Sequence, residues 1–139
     1  MPSEPYILDQ QVGYLLRLAS QRHAVIFQKH AVDGLTPTQF TTLLRVDEVG
    51  SVSQNQLGRL AAMDVATVKG VVDRLKAKGL ARSHADADDK RRSMISLTPK
   101  GAGLIRALKD IGRTITQDTL APLTVAEQKT LVKLLGKLT

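Results

Sequence analysis

The chain has 139 residues, enough for one domain, and it is 42% hydrophobic but only 3% aromatic, so an aliphatic core of helices packed on helices is favoured. The absence of cysteine excludes disulfides, thiolate catalysis, cysteine-ligated metal sites and a thiol redox sensor. No apolar run approaches the roughly 20 residues that span a bilayer, and the first residues do not resemble a signal peptide, so we expect a soluble, cytoplasmic protein.

The net charge of +7 is distributed unevenly along the chain. Residues 1–58 carry 4 basic and 5 acidic residues, whereas residues 59–101 carry 10 basic and 5 acidic residues and residues 102–139 carry 6 and 3. The electropositive middle of the chain favours a polyanion such as nucleic acid as its partner. The alternative is that this charge serves only solubility.

Helix-start signals divide the chain into six predicted helices. Thr36 and Thr124 are each followed three residues later by Gln or Glu, the capping-box pattern, and Ser53 begins a similar Ser-x-x-Gln stretch. Asp64 is a further candidate N-cap, and Thr98 is followed by proline. The predicted helices span residues 5–32, 37–49, 54–62, 65–78, 99–121 and 125–138.

Apolar residues at helical spacing identify the faces expected to be buried. The third helix carries Leu57, Leu60 and Ala61 as its apolar residues, and Gly79 is expected to end the fourth helix in the left-handed conformation. The inward face of the fourth helix is predicted to comprise Val68, Val71, Val72 and Leu75.

A β-hairpin is predicted between the fourth and fifth helices. Residues 80–84 and 93–97 are predicted as short strands, and the polar, charged stretch between them is predicted as an exposed tip. Two short helices joined by a tight turn and followed by such a hairpin form a winged helix-turn-helix. The predicted fold class is therefore α+β, mostly α, with long N- and C-terminal helices.

Short or basic side chains on the fourth helix, and arginines in the wing, are the candidate DNA-binding residues. The fourth helix presents Ala66, Thr67 and Lys69, which would allow it to approach base edges in a major groove. In the wing, Asp89 is able to pair with Arg91 or a neighbouring arginine and hold the guanidinium outward, towards a minor groove or a phosphate. The alternative is a solvated loop whose basic and acidic charges cancel. The basic residues of the tip are Lys90, Arg91 and Arg92.

Several stretches resemble the MarR family of winged-helix transcriptional regulators, and together they span essentially the whole chain. The most specific stretch is the Asp-x-Arg wing followed by Leu-Thr-x-x-Gly. The stretches are Leu35-Thr36-Pro37-Thr38-Gln39-Phe40, Gln56-Leu57-Gly58-Arg59-Leu60-Ala61, Thr67-Val68, Val72-Asp73-Arg74-Leu75, Gly79-Leu80, Asp89-Lys90-Arg91 and Leu97-Thr98-Pro99-Lys100-Gly101.

The resemblance implies a homodimer on a palindromic operator. It implies one domain over residues 1–139, with dimerisation helices at about 5–32 and 99–139 and a DNA-binding winged helix at about 36–98. By position, Ala66, Thr67 and Lys69 would face bases and Arg91 would enter the minor groove. Val65 stands where relatives often have arginine, which leaves the base contacts at the helix start open. The phosphate contacts implied by the resemblance are Ser53, Gln54, Asn55 and Arg74.

Apolar residues near both ends of the chain independently favour a dimer. Residues 6–8 and the leucine-rich segment 131–138 exceed what a small winged helix needs for its own core, and a symmetric dimer would bury them. The alternative is that they pack within one chain.

The resemblance also implies a pocket for a small aromatic carboxylate or phenolic effector between the dimerisation helices and the winged helix. Arginine and histidine side chains are able to bind a carboxylate in a partly dry pocket, and phenylalanines would supply an apolar wall. The alternative is that the histidines only make structural hydrogen bonds and the arginines lie on the surface. The candidate effector-binding residues are Arg17, Arg22, His23, Phe27, His30 and Phe40.

The expected function is sequence-specific DNA binding by a transcriptional regulator, more plausibly a repressor than an activator, released by its effector. No catalytic constellation or glycine-rich phosphate loop is present in the sequence, so we expect no enzymatic activity, no cofactor and no metal site. The alternative function is a winged-helix module that binds protein without specific DNA binding.

Overall fold

The computed structural model describes residues 3–139, and it is mostly helical with one small sheet, as the predicted fold class requires. A 3₁₀ turn at Leu8–Gln10 precedes the first helix. The elements are α1 (Val12–His30), α2 (Pro37–Val49), β1 (Ser51–Ser53), α3 (Gln54–Leu60), α4 (Val65–Ala77), β2 (Ala81–Ala85), β3 (Ser93–Leu97), α5 (Pro99–Leu120) and α6 (Val125–Lys137).

The predicted start of the first helix at Pro5 is wrong. Gln11 has an extended backbone, with φ −84° and ψ 132°, and this separates the 3₁₀ turn from α1. At the other end, Asp33 and Gly34 both have positive φ, so the helix cannot continue through them. The remaining helix boundaries lie within two residues of those predicted.

The wing belongs to a three-stranded sheet, where the sequence predicted only a two-stranded hairpin. The strand order is β1-β3-β2 and both pairings are antiparallel. Ile95 of the central strand lies opposite Val52 of β1 and Ser83 of β2. The three-residue strand β1 is too short for its alternation to be recognised in the sequence.

The predicted helix caps are confirmed. Thr36 and Thr124 form reciprocal capping boxes with Gln39 and Glu127. Ser53 Oγ accepts from the Gln56 N–H at 3.2 Å. These bonds satisfy backbone donors that helix starts otherwise leave unpaired.

The chain divides into two compact units. The central unit is Ala31–Asp110, and the terminal unit comprises the described residues 3–30 together with residues 111–139. In the central unit, Leu57 and the predicted inward face of α4 are buried, whereas Leu60 of α3 is 37% exposed. The largest fully buried side chains of the central unit are Leu43, Val46, Val52, Leu57, Val68, Val72, Leu75, Leu80, Ile95 and Leu108.

The junction between α4 and α5 is held by hydrogen bonds within the central unit. Gly79 has φ +74° and ends α4 as predicted. The Thr98 hydroxyl donates to the Gly79 carbonyl at 2.6 Å, and the Thr98 N–H donates to the Leu80 carbonyl at 3.1 Å. The wing and α4 are thereby fixed to the start of α5.

Candidate nucleic-acid interface

Helix α4 begins at a carboxylate cap and exposes its first turn. Asp64 Oδ1 accepts from the Thr67 N–H at 2.7 Å, and the hydrogen bonds from Thr67 hold the pKa of Asp64 below its usual range. Ala66, Thr67 and Lys69, the residues predicted to face bases, are all exposed. A helix start with short side chains on its exposed face is able to enter a major groove.

Further along α4, Arg74 is also exposed. Lys69 Nζ lies 3.3 Å from a carboxylate oxygen of Asp73, one turn along the helix. Because both side chains of this pair are exposed, water and salt screen the pair, and the lysine is able to exchange Asp73 for a phosphate at little cost.

The wing tip holds Arg91 in an outward position. Asp89 Oδ1 accepts from the Arg91 backbone N–H at 3.0 Å and from the Arg91 Nε at 3.2 Å. The Arg91 side chain is nevertheless 91% exposed. The same hydrogen bonds lower the pKa of Asp89, so this carboxylate stays ionised and the pair persists at neutral pH. The predicted pairing of these two residues is confirmed.

A second aspartate orders the other side of the tip. The Asp86 N–H donates to the Arg92 carbonyl at 3.0 Å, and an Asp86 carboxylate oxygen lies 3.7 Å from the Arg92 Nε. The other Asp86 oxygen accepts from the Asp88 N–H at 3.0 Å. Two aspartates, Asp86 and Asp89, therefore order the wing tip. The positioning role of Asp89 was predicted from the sequence, and that of Asp86 was not.

The base of the wing and the start of α3 enclose a common cleft of about 420 Å³. Ser53 is opposite Met94 in the β1–β3 ladder, which is why α3 begins beside the wing. Three predicted phosphate contacts and two wing arginines therefore lie together. The lining residues are Ser53, Gln54, Asn55, Arg59, Arg91, Arg92 and Ser93.

Arg59 and Ser93 line this cleft but were not among the predicted contacts, and Arg59 is the charged one of the two. Arg59 lies four residues after Asn55 in α3, so the two side chains share one helix face. This four-residue spacing from a predicted phosphate contact was the sequence signal that could have identified Arg59. Lys90 lies on another side of the tip, where it lines a separate cleft of about 360 Å³ with Ser83 and His84.

The candidate effector residues of α1 are hydrogen-bonded to the end of α5 within the terminal unit. Arg22 donates to the carbonyl oxygens of Thr119 and Asp118 at 2.6 and 2.9 Å. His23 Nδ1 lies 2.8 Å from the Thr119 hydroxyl, and His30 Nε2 lies 2.7 Å from an Asp118 carboxylate oxygen. These are the structural hydrogen bonds that the sequence analysis left open as the alternative for the histidines.

The remaining effector candidates are in different surroundings. Arg17 lies over the Tyr14 ring, with its guanidinium carbon 5.7 Å from the ring centre. Phe27 is buried in α1, and Phe40 is half-buried against the core of the central unit.

Comparison with known proteins is consistent with this geometry. A model of the MarR family matches residues 33–92. The transcriptional repressor NicR of Pseudomonas putida is 39% identical over 139 residues, which cover 99% of this chain and 88% of NicR. The multiple antibiotic resistance protein MarR of Salmonella typhimurium is 30% identical, with 91% of this chain and 90% of that protein covered. The chain belongs to the MarR family of transcriptional regulators.

A solved structure is also closely similar. It is that of Bordetella bronchiseptica BpsR, described in terms of the regulation of its DNA binding by 6-hydroxynicotinic acid. BpsR is 40% identical to this chain, with a TM-score of 0.91 and 97% of each chain covered. All predicted DNA contacts of this chain lie within the stretch that the MarR-family model matches, whereas the effector candidates on α1 precede it.

Over residues 3–139 no helix is long and apolar enough to cross a membrane. In the same described part of the chain, no group of three or more His, Asp or Glu residues is arranged to hold a metal ion.

Proposed function

We propose that this MarR-family regulator is a repressor that binds a palindromic operator as a homodimer. In each protomer α4 would lie in the major groove and the wing in the flanking minor groove. The observation that carries this proposal is that one compact unit, Ala31–Asp110, holds both the exposed first turn of α4 and the outward-held Arg91. The similarity to NicR, which is described as a transcriptional repressor, supports repression over activation.

The polar residues around these two elements would bind the DNA backbone. Ser53, Gln54, Asn55 and Arg74 remain the proposed phosphate contacts. Phosphate contacts position the protein on the duplex, while α4 and Arg91 would distinguish sequences. Because a regulator of this kind acts by binding DNA, we propose a cytoplasmic location and no catalytic activity.

The terminal unit supports the dimer. Among the described residues, the large apolar side chains that are exposed in the single chain all lie in this unit except Val49, Leu60 and Val65. Apolar surface on this scale marks an interaction site in a soluble protein. We propose that a second copy of the chain covers it.

The effector would be a small aromatic acid. BpsR is described as regulated by 6-hydroxynicotinic acid, and an aromatic carboxylate fits the chemistry of the α1 side chains. Arg22 and His30 already bind oxygen acceptors supplied by α5, so an incoming carboxylate would compete with Asp118 and Thr119 for the same donors. The other proposed effector contacts on α1 are Arg17, His23 and Phe27.

The test is selection of bound duplexes from random DNA, followed by measurement of Kd at several salt concentrations. We expect a palindromic site whose affinity falls steeply as salt rises, because phosphate binding releases counterions. Arg91→Ala should weaken binding by about 1–3 kcal/mol and relax selectivity at the base pairs under the wing.

Arg45→Ala is the matched control, because it removes one exposed, ion-paired arginine of the central unit outside the proposed contacts, and it should bind almost as wild type does. Adding 6-hydroxynicotinic acid to the wild-type complex should weaken operator binding. Enrichment of no common sequence would contradict the proposed function, and an unchanged affinity across a panel of aromatic acids would contradict only the effector.

A further inference from the structure

The cleft between α3 and the wing contains a cation that has no function in the structure of the chain itself. In the described part of the chain, the Arg59 side chain has neither a hydrogen bond nor an ion pair, and it is exposed. The other two arginines of the cleft, Arg91 and Arg92, are each paired with an aspartate. The five N–H donors of the Arg59 guanidinium are therefore available to a ligand.

A second donor of the cleft is nearly buried. Ser53 is only 9% exposed, and its Oγ already accepts the Gln56 N–H. Because a hydroxyl group both accepts and donates, the Ser53 proton is left to donate to an oxygen in the cleft. With Arg91 assigned to the minor groove, the cleft still combines a free guanidinium, a hydroxyl donor and the oriented Arg92, which suits a tetrahedral oxyanion.

In duplex DNA, a backbone phosphate would lie where the cleft places this anion. A major groove and the adjacent minor groove are separated by one sugar-phosphate strand, so a protein with α4 in one and the wing in the other straddles that strand. In helix-turn-helix proteins the first helix crosses the backbone. Here that helix is α3, and the cleft joins its first residues to the wing.

We propose that this cleft binds one phosphate of the strand between the two grooves, with Arg59 as its principal donor. The cleft volume of about 420 Å³ exceeds the roughly 30 Å³ share of one water, so it admits a phosphate together with bridging waters. Asp86 is the positioning residue for Arg92 on the opposite wall. This inference depends on the proposed function, and it adds a contact that fixes register without reading sequence.

The test is a set of operator duplexes in which a single phosphate at a time is replaced by an uncharged methylphosphonate. Wild type should lose about tenfold or more in affinity at one position beside the wing, the effect of a hydrogen bond to a charged group. Arg59→Gln should lose the same affinity on the unmodified operator and should lose little more when that one phosphate is neutral. Its salt slope should fall by about one.

Arg106→Gln is the matched control, because it removes one exposed positive charge from the same unit outside the cleft. It should keep the wild-type response at every methylphosphonate position. Arg59→Lys should recover only part of the affinity, because lysine keeps the charge but not the planar fork. Thermal unfolding of each variant establishes that the fold is intact.

The outcomes separate the two proposals. If wild type selects an operator and Arg59→Gln binds it equally well, or responds to every methylphosphonate as wild type does, the Arg59 contact is overturned and the proposed function stands. If wild type binds no duplex preferentially, the proposed function is overturned, and the phosphate contact that depends on it is overturned as well. If inorganic phosphate binds Arg59 while wild type tolerates every methylphosphonate, the cleft binds a free anion and the assignment to DNA is overturned.

Discussion

At the scale of single residues, Gly101 shows how a side chain of one hydrogen is required by packing. A Cβ atom at this position would collide with the carbonyl oxygen of Leu80. That carbonyl cannot easily move, because it accepts the Thr98 N–H and follows Gly79, whose own carbonyl accepts the Thr98 hydroxyl. The glycine of the Leu-Thr-x-x-Gly stretch therefore has a structural cause in the junction between α4 and α5.

Gly101→Ala should reduce the free energy of unfolding by about 1–3 kcal/mol, since an added methyl group forces the backbone apart. Gly103→Ala in the same helix is the matched control, because nothing lies within 4 Å of its Cβ position. It should raise stability by up to about 1 kcal/mol through helix propensity alone. Urea denaturation measures the free energy of unfolding of both variants. Equal changes for Gly101→Ala and Gly103→Ala would contradict the predicted cost of the collision.

Residue-level predictions succeeded where the partners are close in sequence. Asp89 and Arg91 are two residues apart, so their pairing could be predicted before the structure. The partners of Arg22, His23 and His30 lie at least 88 residues away, on α5, and no local spacing indicates them. For Arg59, the spacing from Asn55 indicated a shared helix face, but the wing residues that complete its cleft are distant in sequence and no local pattern indicated them.

At the scale of secondary-structure elements, the helix starts are controlled by caps, and the N-cap residue of α4 is an aspartate. Hydrogen bonds from Thr67 lower the pKa of Asp64 in the folded state. A carboxyl group of this kind stabilises the fold above its unfolded pKa of about 4, and that contribution is lost as the pH falls through the folded pKa. Hydrogen bonds also lower the pKa values of Asp89 and Glu127, so the stability that these two carboxylates contribute is likewise lost at acidic pH.

Asp64→Asn should isolate this contribution, because asparagine caps a helix equally well but does not titrate. Wild type should exceed the variant in stability at pH 7, and the difference should shrink as the pH falls below about 4. Chemical denaturation between neutral and acidic pH measures it. Thr36→Ala, an uncharged cap, should cost about 1 kcal/mol at every pH. A difference for Asp64→Asn that does not change with pH would contradict the assigned cause.

Element types and helix boundaries were largely predictable because caps and apolar periodicity are local. Thr36, Asp64 and Thr124 all begin helices as predicted. The predicted sheet lacked one strand. Ser51–Ser53 becomes a strand only by pairing with β3, which lies more than 40 residues later in the sequence. The predicted start of α1 was wrong because the apolar stripe continues back through Leu8, which lies in the 3₁₀ turn and is separated from α1 by the extended backbone of Gln11.

At the scale of the whole molecule, the two units differ in how much apolar surface a single chain covers. The central unit has a buried cluster that extends from Leu35 to Leu108. In the terminal unit the structure shows Phe27 and Ile115 as buried apolar residues, while α6 exposes a row of leucines. The sequence predicted that these leucines exceed the needs of one chain, and the homodimer that would cover them remains a prediction.

Leu134→Asp should weaken the dimer and, with it, binding to a palindromic operator, because it introduces a charge into the proposed interface. Val49→Asp is the matched control, since Val49 is 44% exposed and Leu134 is 50% exposed, but Val49 lies in the central unit. Sedimentation across a range of concentrations should show dissociation only for Leu134→Asp. A monomeric wild type, or an unaffected Leu134→Asp dimer, would contradict the proposed interface.

The short strand β1 has a mechanical consequence. It leads directly into α3, and it is paired with the central strand of the wing from Ser51 to Ser53. Because no loop separates β1 from α3, we expect a displacement of the wing to displace α3 as well, so that the two walls of the proposed phosphate cleft move together. Release of DNA by an effector would then come from changing the separation between the two protomers' footprints, while each footprint keeps its own shape.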